Sequence, residues 1–254
     1  TLFNIYIDDM VQKWKQCVNP GFKMTQNRYL NILLFADDLA IIQDKESTLQ
    51  ISVFKLNEIC EQYNMKISTI KTKVMAFKGK QPVRTKIIIN DHIIEQVNHF
   101  NYLGHDIGYD KDHDIDIKLA KFQRICGTIN RTCKNKFRRD TKLKFYKVMA
   151  IPVISYGSEM WTATKKQESK IQASEMKFLR GVKGCTKLDH IRNEEIREEL
   201  EIFNLNDRLN DNKQQWKEHI RRMPNTRLTK QILNYKVNGS RSVGRPRRRW
   251  LEDT

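Results

Sequence analysis

Two adjacent carboxylates, Asp37 and Asp38, stand between two short apolar runs, and this arrangement limits how that stretch of chain can fold. The first run is Tyr29-Leu30-Asn31-Ile32-Leu33-Leu34-Phe35, and the second is Leu39-Ala40-Ile41-Ile42. Both are short and bounded by polar residues, which suits strands better than helices. The reading is a strand, a tight acidic turn and a strand. Neighbouring like charges beside a core repel each other and resist desolvation. A divalent cation resolves the conflict, because Mg²⁺ prefers carboxylate oxygens and keeps several of its waters. Two such ions, ~3.5–4 Å apart, can activate a 3′-hydroxyl and stabilise a leaving pyrophosphate in nucleotidyl transfer. Side chains alternate along an extended strand, so Asp37 ranks as the first ligand and Asp38 as an auxiliary. A solvated turn is the plainer account of an isolated Asp-Asp pair. Asp8-Asp9, on a helix running on through Met10-Val11, is explained by a solvated face.

Periodicity extends this reading along the chain. Residues 2–14 read as an amphipathic helix that Asn19-Pro20-Gly21 breaks. Leu49, Val53, Leu56, Cys60 and Tyr63 recur at helical spacing, with Ser47 placed to cap that helix. Residues 73–77 and 86–89 read as short strands, Asn90-Asp91 as a hairpin turn, and residues 97–107 as a further strand. After Asp110 the texture becomes helical. Ile115, Leu119, Phe122, Cys126, Ile129 and Cys133 trace one helix face, and residues 143–149, 171–182, 191–200 and 205–223 follow as helices. In the last, Leu205, Leu209, Asn212, Trp216, Ile220 and Met223 keep the spacing. The fold class is α+β, with an α+β front at 1–109, a helical region at 110–235 and a flexible basic tail at 236–254.

Charge narrows the partners. Lysine and arginine number 47 against 30 acids, giving a net charge of +17. Residues 118–187 alone hold 18 bases and 4 acids. Such a surface attracts a polyanion at long range, with nucleic acid the first candidate and an anionic membrane the second. A merely solvated basic surface is the alternative. Exposed contacts to nucleic acid are expected at Lys118, Lys121, Arg124, Arg138 and Arg139. No apolar run approaches the ~18–20 residues that span a bilayer. Five cysteines, an odd number without a CxxC pair, read as reduced intracellular thiols, with Cys126 and Cys133 in a core.

The order of features is more specific than any one of them. Phe35-Ala36-Asp37-Asp38 resembles the [FY]-x-D-D signature of reverse transcriptases, above all those of non-LTR retrotransposons. Residues 2–7 resemble the helix after that family's dNTP-side motif. Residues 64–75 resemble its lysine-containing palm motif, with Lys71 at the matching place. Phe100-Asn101-Tyr102-Leu103-Gly104 resembles its primer-grip hairpin. The helical remainder resembles the thumb and downstream region. The resemblance implies a polymerase palm that copies an RNA template from a DNA primer with dNTPs and two Mg²⁺, in the nucleus and cytoplasm. Asp37 and Asp38 would hold metal. Lys71 would sit near the incoming nucleotide, with an ordinary surface lysine as the alternative. Phe100, Tyr102, Leu103 and Gly104 would hold the primer. The family's palm also uses an Asp on an earlier strand, along with fingers and an endonuclease, none of which lies within these residues. The expectation is therefore a fragment, inactive alone and completed by N-terminal regions. A decayed remnant that only binds nucleic acid is the alternative.

Two other constellations stand out. His105, Asp106, Asp110, Asp112, His113, Asp114 and Asp116 crowd one stretch. It reads as an acidic cap on the next helix, with a metal site as the lesser alternative. Gly244-Arg245-Pro246-Arg247-Arg248-Arg249-Trp250 offers arginines to a groove and an indole to an exposed base. A localisation signal or an unengaged tail accounts for it as well.

Overall fold

In the computed structural model, residues 2–25, 28–78, 81–108, 113–133, 137–235 and 250–252 are described. The chain divides into two compact units, Thr1–Asn101 and Tyr102–Thr254.

The first unit is built on two helices. α1 (Leu2–Cys17) buries Ile7, Met10, Val11 and Trp14, one face at helical spacing. α2 (Glu46–Gln62) sets Leu56, Ile59 and Cys60 against that face. The Trp14 indole donates to the Ser52 carbonyl at 2.8 Å, which lets a fully buried ring keep its one polar atom paired. α2 begins at Glu46 with Lys45 as its N-cap, and no side chain caps it. Ser47 is thus already inside the first turn rather than at the cap.

The strands form short antiparallel pairs. The apolar run at 29–35 is divided at Asn31, because its first part pairs elsewhere. β1 (Phe22–Thr25) pairs with β2 (Arg28–Leu30), and β3 (Ile32–Phe35) pairs with β4 (Asp38–Ile41). β1 has no clear signature in the sequence. Ile32, Leu39 and Ile41 lean on the α1–α2 core and fix the hairpin to it. β5 (Phe77–Lys78) pairs with β6 (Gln81–Pro82), and β7 (Ile88–Ile89) pairs with β8 (His92–Ile93) through Asn90-Asp91. Both turn residues have positive φ (46° and 62°), as the tight hairpin requires. Val53, Val74, Ile87, Ile89 and Ile94 make a second small core. The 97–107 run is two strands, β9 (His99–Tyr102) and β10 (His105–Gly108), because the chain turns at Leu103-Gly104.

The second unit is helical after β10. α3 (His113–Thr132) buries Ile115, Lys118, Leu119, Phe122, Cys126 and Ile129. α4 (Arg139–Phe145) passes through a π turn at Tyr146–Ala150 into α5 (Ile151–Ser155). Pro152 lacks an amide hydrogen and cannot keep the α ladder, and Ile151 bonds Tyr146 five residues back. A 3₁₀ turn, Ser158–Met160, leads to α6 (Lys165–Lys183), which opens on a capping box between Thr164 and Gln167. α7 (Asn193–Glu199), α8 (Leu205–Arg222), α9 (Leu228–Leu233) and a 3₁₀ turn at Trp250–Glu252 complete it. Glu175, fully buried on α6, accepts from Arg197 at 2.7 Å and from the Leu205 amide at 3.1 Å, and so ties α6, α7 and α8 together. The buried stripe of α8 runs through Leu205, Leu209, Lys213, Lys217 and Ile220. Two lysines thus take the places expected of Asn212 and Trp216. Their long apolar stems fill the interface while the ammonium of Lys213 donates to the Trp161 carbonyl at 2.7 Å.

Candidate active site and nucleic-acid contacts

The β3–β4 hairpin holds the acidic pair. Phe35 pairs with Asp38 in register, which leaves Ala36-Asp37 as a two-residue turn. Ala36 takes a left-handed φ of 52° to close it. Alternation along the strands sends Leu39, Ile41 and Ile32 to the helices, and places Asp38 with Phe35 on the opposite face. Phe35 is 62% exposed and both carboxylates are exposed. Neither the Asp37 nor the Asp38 carboxylate has an ion pair or hydrogen bond among the described residues. The site therefore offers hard oxygen donors that the protein itself does not use. That donor set fits a divalent cation, although no third carboxylate, His or Cys stands close enough to complete a three-ligand cluster among the described residues.

Lys71 is exposed, and its ammonium has no partner among the described residues; only its amide is engaged, by Ser68 Oγ at 3.4 Å. Its neighbour Lys73 instead pairs with Glu95 at 2.6 Å. Asp8 and Asp9 lie exposed on α1, and Asp9 accepts from Tyr63 and pairs with Lys13. The Tyr63 hydroxyl first, then Lys13, holds its carboxyl below the ordinary range.

In the 100–104 segment Phe100, Tyr102 and Leu103 are half-buried and Gly104 is exposed. Leu103 and Gly104 both have positive φ (51° and 79°). The Tyr156 hydroxyl donates to the Leu103 carbonyl at 2.9 Å.

The expected basic contacts divide into four groups. Lys121, Arg124 and Arg138 are exposed and carry no ion pair among the described residues. Arg139 is exposed but engaged, by Glu199 at 3.3 Å and by the Lys183 carbonyl at 3.2 Å. Lys118 is a correction. It is 5% exposed and its ammonium lies 2.9 Å from Asp114 Oδ2, 2.9 Å from the Tyr156 carbonyl and 3.2 Å from His105 Nδ1. Helical periodicity puts Lys118 on the Ile115–Leu119 face, where charge counting alone gives no warning of burial. Arg245, Arg247, Arg248 and Arg249 lie outside the described residues. Trp250 does not offer a free indole: it donates to the Glu159 carbonyl at 2.6 Å, and Lys217 lies 5.5 Å from its ring centre.

Asp114 and Asp116 of the acidic stretch are engaged within the protein, whereas Asp106 and His113 belong to a group whose ligand atoms could hold a metal ion. Asp114 accepts from Lys118, from the Trp161 indole at 2.7 Å and from the Asp106 amide at 3.0 Å. Asp116 accepts from Lys170 at 3.2 Å, and Asp106 lies 2.8 Å from His113 Nδ1. Asp110 and Asp112 fall outside the described residues. Tyr156 carried no signal in the sequence beyond a glycine after it.

The acidic hairpin rests on α1 and α2, and Lys71 and the left-handed Leu103-Gly104 pair follow it in the chain. Residues 1–107 match the family described as reverse transcriptase (RNA-dependent DNA polymerase). The chain is 24% identical over 237 residues to a putative uncharacterized transposon-derived protein of Caenorhabditis elegans, across 89% of this chain and 84% of that one. It is 23% identical over 239 residues to the RNA-directed DNA polymerase from mobile element jockey of Drosophila melanogaster, across 89% of this chain and 25% of the relative. It is 24% identical over 236 residues to the probable RNA-directed DNA polymerase from transposon X-element of the same organism, across 86% and 24%. The chain thus spans about a quarter of the length of the two polymerases. Among the described residues no helix is long and apolar enough to cross a membrane.

Proposed function

We propose that this chain supplies the metal-binding hairpin and the primer-holding turn of an RNA-directed DNA polymerase that extends a DNA primer with dNTPs on an RNA template. The observation that carries the reading is the β3–β4 turn, where two exposed carboxylates are left unengaged within a segment that matches the reverse transcriptase family. Asp37 and Asp38 would hold Mg²⁺. When bound, the ion supplies charge neutralisation and lowers the pKa of a coordinated hydroxyl. The protein's own contribution is positional. The hairpin presents Asp37 in its two-residue turn and Asp38 at the start of β4. The ammonium of Lys71 is available to offset charge on a triphosphate. Lys121, Arg124 and Arg138 supply a basic surface for the nucleic-acid backbone.

The test is a chimera. Residues 1–254 replace the matching quarter of the jockey polymerase, and primer extension on an RNA template is measured with Mg²⁺ and dNTPs. Extension that Asp37→Ala or Asp38→Ala abolishes is the expected result. Extension unaffected by Asp37→Ala contradicts the reading.

A further inference from the structure

We propose that Tyr156 is a positioning residue: through a buried Lys118–Asp114 pair it fixes the Leu103–Gly104 turn, and with it the 3′ end of the primer. The proposal rests on the reading of residues 100–104 as the primer-holding segment.

Two consecutive left-handed residues make the turn, and one of them is leucine. A non-glycine residue in that conformation persists when its surroundings over-determine it. Tyr156 does so from two sides. Its hydroxyl holds the Leu103 carbonyl at 2.9 Å, and its ring covers Gly104, where a Cβ would come 2.9 Å from Tyr156 Cε1. Tyr156 is itself 57% exposed, so it reaches the turn from the surface rather than filling a core.

The ring of Tyr156 is fixed in its turn. His105 stacks on it with centroids 5.3 Å apart and planes at 21°. That stacking needs Gly157, because a Cβ there would lie 1.6 Å from His105 Cε1. Beneath both rings, the Lys118 ammonium bonds the Tyr156 carbonyl, His105 Nδ1 and Asp114. The other Asp114 oxygen takes the Asp106 amide. One ion pair therefore pins the chain just after the turn, at His105 and Asp106, and the segment carrying Tyr156. A buried ion pair is seldom more stabilising than an apolar contact of the same volume, whereas it is strict about geometry. Holding register is the use that fits this pair. The turn belongs to the helical unit, Tyr102–Thr254, so this unit has a part in placing the primer as well as in gripping its backbone.

The measurement compares affinity for an RNA template annealed to a DNA primer with a recessed 3′ end against the same hybrid made blunt. The unaltered chain is expected to prefer the recessed end. Tyr156→Phe removes only the hydroxyl, and is expected to lower affinity for the recessed end by about fivefold, the size of one hydrogen bond. Blunt-hybrid affinity and thermal unfolding should stay as they were. Gly104→Ala, which meets the Tyr156 ring, should produce the same selective loss. A recessed-end preference that survives unchanged in Tyr156→Phe, or an equal loss on both hybrids, overturns the proposal alone. If the unaltered chain shows no preference, the primer-holding reading falls and the proposal with it.

Discussion

Asp38 and Asp114 are both carboxylates beside an apolar core, and the chain treats them in opposite ways. Asp114 is 8% exposed and accepts from a lysine, an indole and a backbone amide. Asp38, with its neighbour Asp37, is exposed and accepts from nothing among the described residues. A carboxylate whose lone pairs the protein fills contributes to the fold, and its loss leaves donors unpaired. A carboxylate held at a hairpin tip without partners contributes little to the fold and remains open to a ligand. Asp114 is thus turned inward, whereas the hairpin presents its pair outward.

Substitution should separate the two most sharply. Asp114→Ala strips Lys118, 5% exposed, of its countercharge, and the helical unit should lose about 3 kcal/mol or more in denaturant unfolding. Asp37→Ala should change stability by less than about 0.5 kcal/mol. Equal losses in the two variants would erase the distinction. Next in size is Gly157→Ala. The left-handed φ of 67° and the His105 ring both oppose a Cβ, so about 2 kcal/mol should be lost, with the His105 ring resonances displaced in NMR spectra. Retained stability with unmoved rings would mean that the contact is not tight.

Acid sharpens the comparison further. Burial pushes the Asp114 carboxyl up, but the Asp106 amide, the Trp161 indole and Lys118 outweigh it and hold the carboxyl below its ordinary 3.8. A depressed folded-state pKa gives stability that is present above the ordinary value and lost as pH falls through the folded one. Stability of the helical unit should accordingly drop below about pH 4, and Asp114→Asn should flatten that limb of the titration. An unchanged acid limb would remove Asp114 from the account. The smallest effect belongs to the exposed bases. Lys121→Gln, Arg124→Gln and Arg138→Gln should each weaken hybrid binding and reduce its salt slope by about one, whereas Arg139→Gln, already paired to Glu199, should do less. Four equal slopes would show that exposure without a partner does not mark the contacts.

The hairpin was readable in the sequence because its signals are local: two apolar runs, a two-residue acidic turn, and then a helix at regular spacing. Asn90-Asp91 was readable for the same reason, since both residues tolerate positive φ. The division of the 29–35 run was not, because β1 and β2 find each other only through pairing. Periodicity alone ran 97–107 as one strand, because leucine does not announce a left-handed backbone, and only the family resemblance marked a hairpin there. Its anchor, Tyr156, lies 53 residues away. Lys118 shows the limit of counting charge. Its position on the α3 face pointed inward, and only the contacts reveal an aspartate, a histidine and a carbonyl waiting for it. In α8 the same lesson returns, with Lys213 and Lys217 occupying the buried stripe.

The central claim is that the hairpin carboxylates are open to a cation while Asp114 of the helical unit is not. Paramagnetic Mn²⁺, added to the chain in place of Mg²⁺, tests it by line broadening of backbone amides. Broadening should centre on residues 36–39 and disappear in Asp37→Ala. Broadening centred on Asp114, or unchanged by Asp37→Ala, would contradict the account.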